Sequence, residues 1–92
     1  MSKRSRLHLT IHGKVQGVFY RTSAKDKAED LLLTGWIRNI QNNTVEAELE
    51  GDRENLEKFL NWCYAGPDLA EVTKVESNWL KYKGEFTNVT IL

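Results

Sequence analysis

Residues 7–21 read Leu7-His8-Leu9-Thr10-Ile11-His12-Gly13-Lys14-Val15-Gln16-Gly17-Val18-Phe19-Tyr20-Arg21, and the pattern changes twice along them. Leu7, Leu9 and Ile11 alternate with His8, Thr10 and His12, the period of two that belongs to a half-buried strand. Gly13 and Gly17 then bracket a turn where the missing Cβ atoms let backbone fold tightly and come close to a ligand. Beyond it, Ala24, Ala28 and Leu31 recur at helical spacing, the inner stripe of a helix that begins near Thr22 or Ser23, either of which can cap it. A loop feeding a helix N-terminus collects unpaired backbone N–H groups, and together with the helix dipole these favour an anion. Arg21 adds a permanent forked cation suited to two oxygens of one phosphate. The residues fit an oxyanion site. On their own they also fit a plain strand-to-helix turn with a solvated arginine. The loop is not a Walker A motif, since no Gly-Lys-Ser/Thr closes it, nor a dinucleotide fingerprint, since Tyr20 holds the place of the third glycine.

Outward from this stretch the chain alternates strands and helices. Gly35 to Ile40 reads as a second strand and Thr44 to Glu50 as a third, with Val45, Ala47 and Leu49 inward and Glu46, Glu48 and Glu50 outward. Asn42-Asn43 supplies the hairpin turn between them. Asp52 is placed to cap a second helix whose Leu56, Phe59, Leu60 and Cys63 share one face, and Gly66-Pro67 ends it. Val72 to Tyr82 reads as a fourth strand, Lys83-Gly84 as a turn and Phe86 to Ile91 as a last short strand. The order β-α-β-β-α-β predicts an α+β ferredoxin-like sandwich, with two helices on one face of an antiparallel sheet and a short extra C-terminal strand. In that layout Arg21 and Asn39 can face one site at one end of the sheet.

Composition narrows the classes. At 92 residues, 40% hydrophobic and 28% charged, the chain fits one globular domain over residues 1–92, with residues 1–5 expected to be a flexible end. Thirteen basic residues cancel thirteen acidic ones, so no global field recruits nucleic acid or membrane. An RNA-binding sheet would need stacking aromatics on the outer faces of strands 1 and 3, where the row Glu46, Glu48, Glu50 would instead repel phosphates. His8 and His12 have no carboxylate or cysteine at ligand spacing, so no metal is expected. The single cysteine, Cys63, cannot form an internal disulfide and sits on an apolar helix face, as an inert thiol would. No spanning segment or signal-peptide core is visible, which makes the cytoplasm the expectation, and the balanced charge of a small fold makes a monomer the simplest one.

The residues quoted first resemble, at every fixed position, the acylphosphatase signature Gly-x-Val-Gln-Gly-Val-x-Phe/Tyr-Arg, here Gly13 to Arg21. A second signature of that family, Gly-Trp-x-Arg-Asn, stands as Gly35-Trp36-Ile37-Arg38-Asn39, and Gly66-Pro67, Ala70, Val72 and Val75 also look like it. The resemblance runs from about Leu7 to Ile91. It implies hydrolysis of the carboxyl-phosphate bond of an acyl phosphate, giving a carboxylate and inorganic phosphate. The backbone of Val15, Gln16, Gly17, Val18, Phe19 and Tyr20 would hold the phosphate, Arg21 would clamp it and Asn39 would orient water. No cofactor, metal or covalent enzyme intermediate is implied. Arg38, by strand alternation, falls on the opposite face from Asn39, in a salt bridge. The family usually has glycine at Leu32 and Asp-Gly at Asn42-Asn43, and Phe19 fills a variable position. Acetyl, carbamoyl and larger acyl phosphates share the reacting group, so the residues do not choose among them. A non-catalytic anion-binding module is the competing reading.

Overall fold

The computed structural model describes residues 3–17 and 19–92. The elements are β1 (Arg4–Lys14), α1 (Tyr20–Asp30), β2 (Thr34–Ile40), β3 (Thr44–Asp52), α2 (Arg53–Ala65), β4 (Glu71–Leu80) and β5 (Val89–Ile91). They form one sheet in the order β4-β1-β3-β2-β5. β1 pairs antiparallel with β3 and β4, and β2 antiparallel with β3, while β5 runs parallel to β2. This is the ferredoxin-like α+β sandwich expected, except that the returning C-terminal strand makes the sheet mixed instead of antiparallel throughout.

The alternation in β1 and β3 does what its period dictates. Leu7, Leu9, Ile11, Val45, Ala47 and Leu49 turn to the helical side and are essentially fully buried, together with Ile37. They meet Ala24 and Ala28 of α1 and Leu56, Phe59 and Cys63 of α2 in one apolar cluster. No helix of the described residues is long and apolar enough to cross a membrane.

Four boundaries depart from expectation for identifiable reasons. α1 begins at Tyr20, not at Thr22 or Ser23, because burying the Tyr20 ring fixes the helix start; Phe19, at φ 61°, is its N-cap and makes no side-chain cap bond. β1 begins at Arg4, inside the end expected to be flexible: Arg4 pairs with Asp52, Ser5 with Gly51, and Arg4 Nη1 donates to Tyr82 Oη at 3.1 Å. β4 stops at Leu80 and β5 starts only at Val89, because the chain between them is diverted across the outer face of the sheet. There the Glu50 carboxylate accepts from the backbone N–H groups of Lys83, Gly84 and Glu85 at 2.6, 3.1 and 3.1 Å.

That outer face is not a bare row of carboxylates. Glu46 bonds His8 Nε2 at 2.7 Å and Arg38 Nε at 2.6 Å, and Glu48 pairs with Arg6. The Arg6 guanidinium lies 4.6 Å from the Phe86 ring centroid and that of Arg38 5.0 Å from Trp36. The expected repulsion of phosphates by free acidic charge is therefore replaced by a paired, cation-capped surface.

Two turns carry the departures noted above. Asn42 and Asn43 have φ of 64° and 55°, the paired left-handed geometry of a tight hairpin that asparagine tolerates. Leu32 holds φ 59° with an exposed side chain, at a cost of roughly 1 kcal/mol against glycine. Gly35 is required sterically: a Cβ there would lie 2.0 Å from the Glu48 carbonyl oxygen, so the Gly-Trp-x-Arg-Asn glycine serves strand packing.

Burial opposes ionisation of Glu50, but the N–H groups of Lys83, Glu85 and Gly84, with Arg6 beside them, outweigh it and hold its carboxyl below the usual range. A carboxyl lowered in the folded state contributes stability that is complete above its unfolded value and lost as pH falls through the lowered folded one. Glu50→Gln should cost about 1–3 kcal/mol near neutrality, since an amide cannot accept from all three donors. Urea unfolding between pH 7 and 3 should show that difference shrinking as acid protonates the wild-type carboxyl; a gap that widens in acid would contradict the assignment.

Candidate active site

β1 ends at Lys14, and the chain enters the glycine loop with Val15 buried in the core. Gln16 then reaches sideways: its Nε2 donates to the carbonyls of Ile40 at 2.8 Å and Thr44 at 3.0 Å. These two bonds tie the loop to both strands of the β2–β3 hairpin, one residue from Asn39. Gly17 has φ 73°, and no heavy atom of the described residues, its chain neighbours aside, lies within 4 Å of where its Cβ would stand. Its backbone angle demands glycine, and the space in front of it is open.

On the far side of the loop Tyr20 is the anchor. Its ring is 1% exposed and 5.4 Å from that of Trp62, and its hydroxyl donates to the Cys63 carbonyl at 2.8 Å. Gly66 makes room for it, since a Cβ there would come within 2.6 Å of the tyrosine ring. With α1 pinned this way, its first intrahelical backbone bond runs from Ser23 to the Phe19 carbonyl at 3.0 Å. The N–H groups of Tyr20, Arg21 and Thr22 precede it and have no intrahelical acceptor. They sit at the positive end of the helix dipole.

Val15, Gly17, Phe19, Tyr20, Arg21 and Thr22 line a cavity of about 330 Å³. Five of the eight site residues expected from sequence thus meet there, and Thr22, expected only as a cap, joins them. Val18 lies outside the described residues. Gln16 acts through its side chain as a tether, a role its place in a glycine loop did not signal. Asn39 does not line this cavity. It stands near the end of β2, opposite Val45, and its Oδ1 is buried with no hydrogen-bond partner among the described residues. An unsatisfied buried amide oxygen costs on the order of 1–3 kcal/mol, so a polar partner at this atom is favoured.

The other candidates fall away from this cluster. Arg38 is on the opposite face, paired with Glu46 as the alternation implied. His12 Nε2 bonds Glu76 at 2.6 Å and its Nδ1 is 3.5 Å from Thr44 Oγ1. Cys63 is fully buried, and burial pushes its thiol up to about 12, which leaves no thiolate nucleophile near neutrality. Burial likewise raises the Tyr20 hydroxyl, which stays a donor.

Residues 7–91 match the family model for acylphosphatase, and the site described lies inside that span. The chain belongs to the acylphosphatase family. It is 49% identical over 88 residues to an acylphosphatase of Pelotomaculum thermopropionicum, covering 96% of each chain. To one of Thermococcus kodakarensis it is 48% identical over 82 residues, or 89% of this chain and 90% of the other. Among solved structures, an acylphosphatase from Coxiella burnetii superposes with a TM-score of 0.91 at 34% identity, covering 97% of this chain and 93% of that one. Full-length HypF shares the fold alone, at 22% identity and a TM-score of 0.89, and this chain spans 12% of its length.

Within the family pattern, both fixed ends of the loop now have a mechanical meaning: glutamine holds it to the hairpin and tyrosine holds it to α2. Removing the first should loosen the loop without unfolding the domain. For Gln16→Ala we expect the backbone ¹⁵N order parameters at Gly17 and Phe19 to fall from the rigid range toward about 0.6 or below. Unchanged order parameters there would show that the tether is not what orders the loop.

Proposed function

We propose that the chain is an acylphosphatase in which the N–H groups of residues 15–20 and Arg21 hold the phosphoryl group while Asn39 orients the attacking water. The observation that carries this reading is the buried Oδ1 of Asn39, partnerless among the described residues and one residue from the Ile40 carbonyl to which Gln16 ties the glycine loop. The phosphoryl oxygens of R–CO–O–PO₃²⁻ would accept from the loop, and the guanidinium of Arg21 would bind two of them. Water hydrogen-bonded to Asn39 Oδ1 would attack phosphorus in line. As the new P–O bond forms, the bond from phosphorus to the acyl oxygen breaks and its electron pair leaves with the carboxylate. The water's proton passes to a phosphoryl oxygen, giving inorganic phosphate.

A carboxylate is a good leaving group, so this scheme needs no side-chain acid. Catalysis then consists of positioning and of charge stabilisation by donors fixed in place before the substrate arrives. The dipole of α1 favours the negative charge the cradle receives.

Purified protein should hydrolyse benzoyl phosphate in the presence of EDTA. Arg21→Ala should lower kcat/KM by the equivalent of about 2–4 kcal/mol and weaken inhibition by inorganic phosphate as well. Asn39→Ala should lower kcat by roughly a hundredfold or more, with phosphate inhibition changed only slightly. Equal loss of turnover and phosphate binding in Asn39→Ala would contradict the water-orienting role. Phosphate binding without turnover in the wild type would make the protein an anion-binding module.

A further inference from the structure

Phe19 is an expensive residue at an unusual place. It holds φ 61° and ψ 24°, a left-handed conformation that glycine would adopt without strain, and its side chain is 75% exposed. A large aromatic ring left in water gains nothing from burial. It nevertheless borders the same cavity as Arg21, Gly17 and Thr22. The ring is therefore free to cover something that binds in that cavity.

What it would cover follows from the geometry of displacement, on the reading given under Proposed function. In-line attack places the incoming water and the departing acyl oxygen on opposite sides of phosphorus. Asn39, near the end of β2 and outside this cavity's lining, supplies the water on that reading, so the acyl oxygen and its substituent project away from it. Phe19 is the one large, exposed apolar side chain among the described residues lining the cavity, and it offers such a substituent a surface. We propose that the Phe19 ring is an apolar platform for the acyl group, and that it selects aryl and longer alkyl acyl phosphates over acetyl phosphate. Among the described residues no charged side chain other than that of Arg21 lines the cavity, so no second cation there rewards an anionic acyl group.

The strain of residue 19 and the ring it carries are separable by mutation. Phe19→Ala keeps a strained non-glycine residue and removes the ring; Phe19→Gly removes both; Phe19→Trp keeps an aromatic face. Any effect of these changes on the phosphate cradle is common to all substrates and cancels in a ratio of kcat/KM values. We therefore measure kcat/KM for benzoyl phosphate divided by that for acetyl phosphate, with the inhibition constant of inorganic phosphate alongside. An aromatic or apolar stacking contact should make the ratio fall by about five- to tenfold in both Phe19→Ala and Phe19→Gly, and persist in Phe19→Trp. Leu32→Gly, which relieves the same backbone strain at the other end of α1, should leave the ratio unchanged.

Ratios that stay within twofold of wild type in the alanine and glycine variants would overturn the platform while leaving the hydrolase reading intact. A fall in Phe19→Ala but not in Phe19→Gly would also overturn it, because loop strain would then be the cause. A wild type that hydrolyses neither substrate overturns the hydrolase reading, and the platform with it.

Discussion

The glycine loop that leads into α1, whose first N–H groups have no intrahelical acceptor, is tied down by two long-range hydrogen-bonded anchors. On one side the Gln16 amide spans the carbonyls of Ile40 and Thr44; on the other the buried Tyr20 hydroxyl reaches the Cys63 carbonyl. Between them the backbone must pass through left-handed angles at Gly17 and Phe19 and start α1 with its first N–H groups unspent. Such donors serve an anion well because they need no reorganisation when it arrives. The site is thus a consequence of where the loop is tied, and the ties come from α2 and from the β2–β3 hairpin.

Stability and chemistry are segregated to different parts of the molecule. The outer face of the sheet concentrates its paired charge around Arg6, Glu48 and Glu50, where the chain after β4 is clamped back onto β3. Removing one partner from such a buried set leaves the other uncompensated, so these residues specify one arrangement of the C-terminal segment. At the cavity the opposite holds. A strained Phe19 there, and an unsatisfied Asn39 near the end of β2, are tolerated because the buried apolar cluster beneath them over-determines the fold.

Much of this was legible in the residues. Alternation in β1 and β3 and the helical stripes set the sandwich, and two glycine-bearing signatures pointed to the loop and to Asn39 as the proposed site. What escaped was everything decided by tertiary contact. Thr22 and Ser23 are good caps by local chemistry, yet burial of Tyr20 against Trp62 starts α1 earlier. Residues 4 and 5 belong to the end expected to be flexible, yet the last residues of β3, Gly51 and Asp52, give them ladder partners. Glu46, Glu48 and Glu50 read as a solvated acidic row because their cations come from other strands, at separations no local pattern reveals. The tethering role of Gln16 was hidden for the same reason: its acceptors lie 24 and 28 residues away.

The central claim is that the donors between Gln16 and Thr22 form a preorganised phosphate cradle. Titrating ¹⁵N-labelled protein with inorganic phosphate while recording its backbone amide spectrum tests this most directly. Saturable shifts should concentrate at Gln16, Gly17, Phe19, Tyr20, Arg21 and Thr22 and at the Asn39 side-chain amide, with the rest of the spectrum nearly still. Shifts centred instead on the opposite end of the sheet, around Arg4 and Asn55, or spread evenly over the surface, would contradict it.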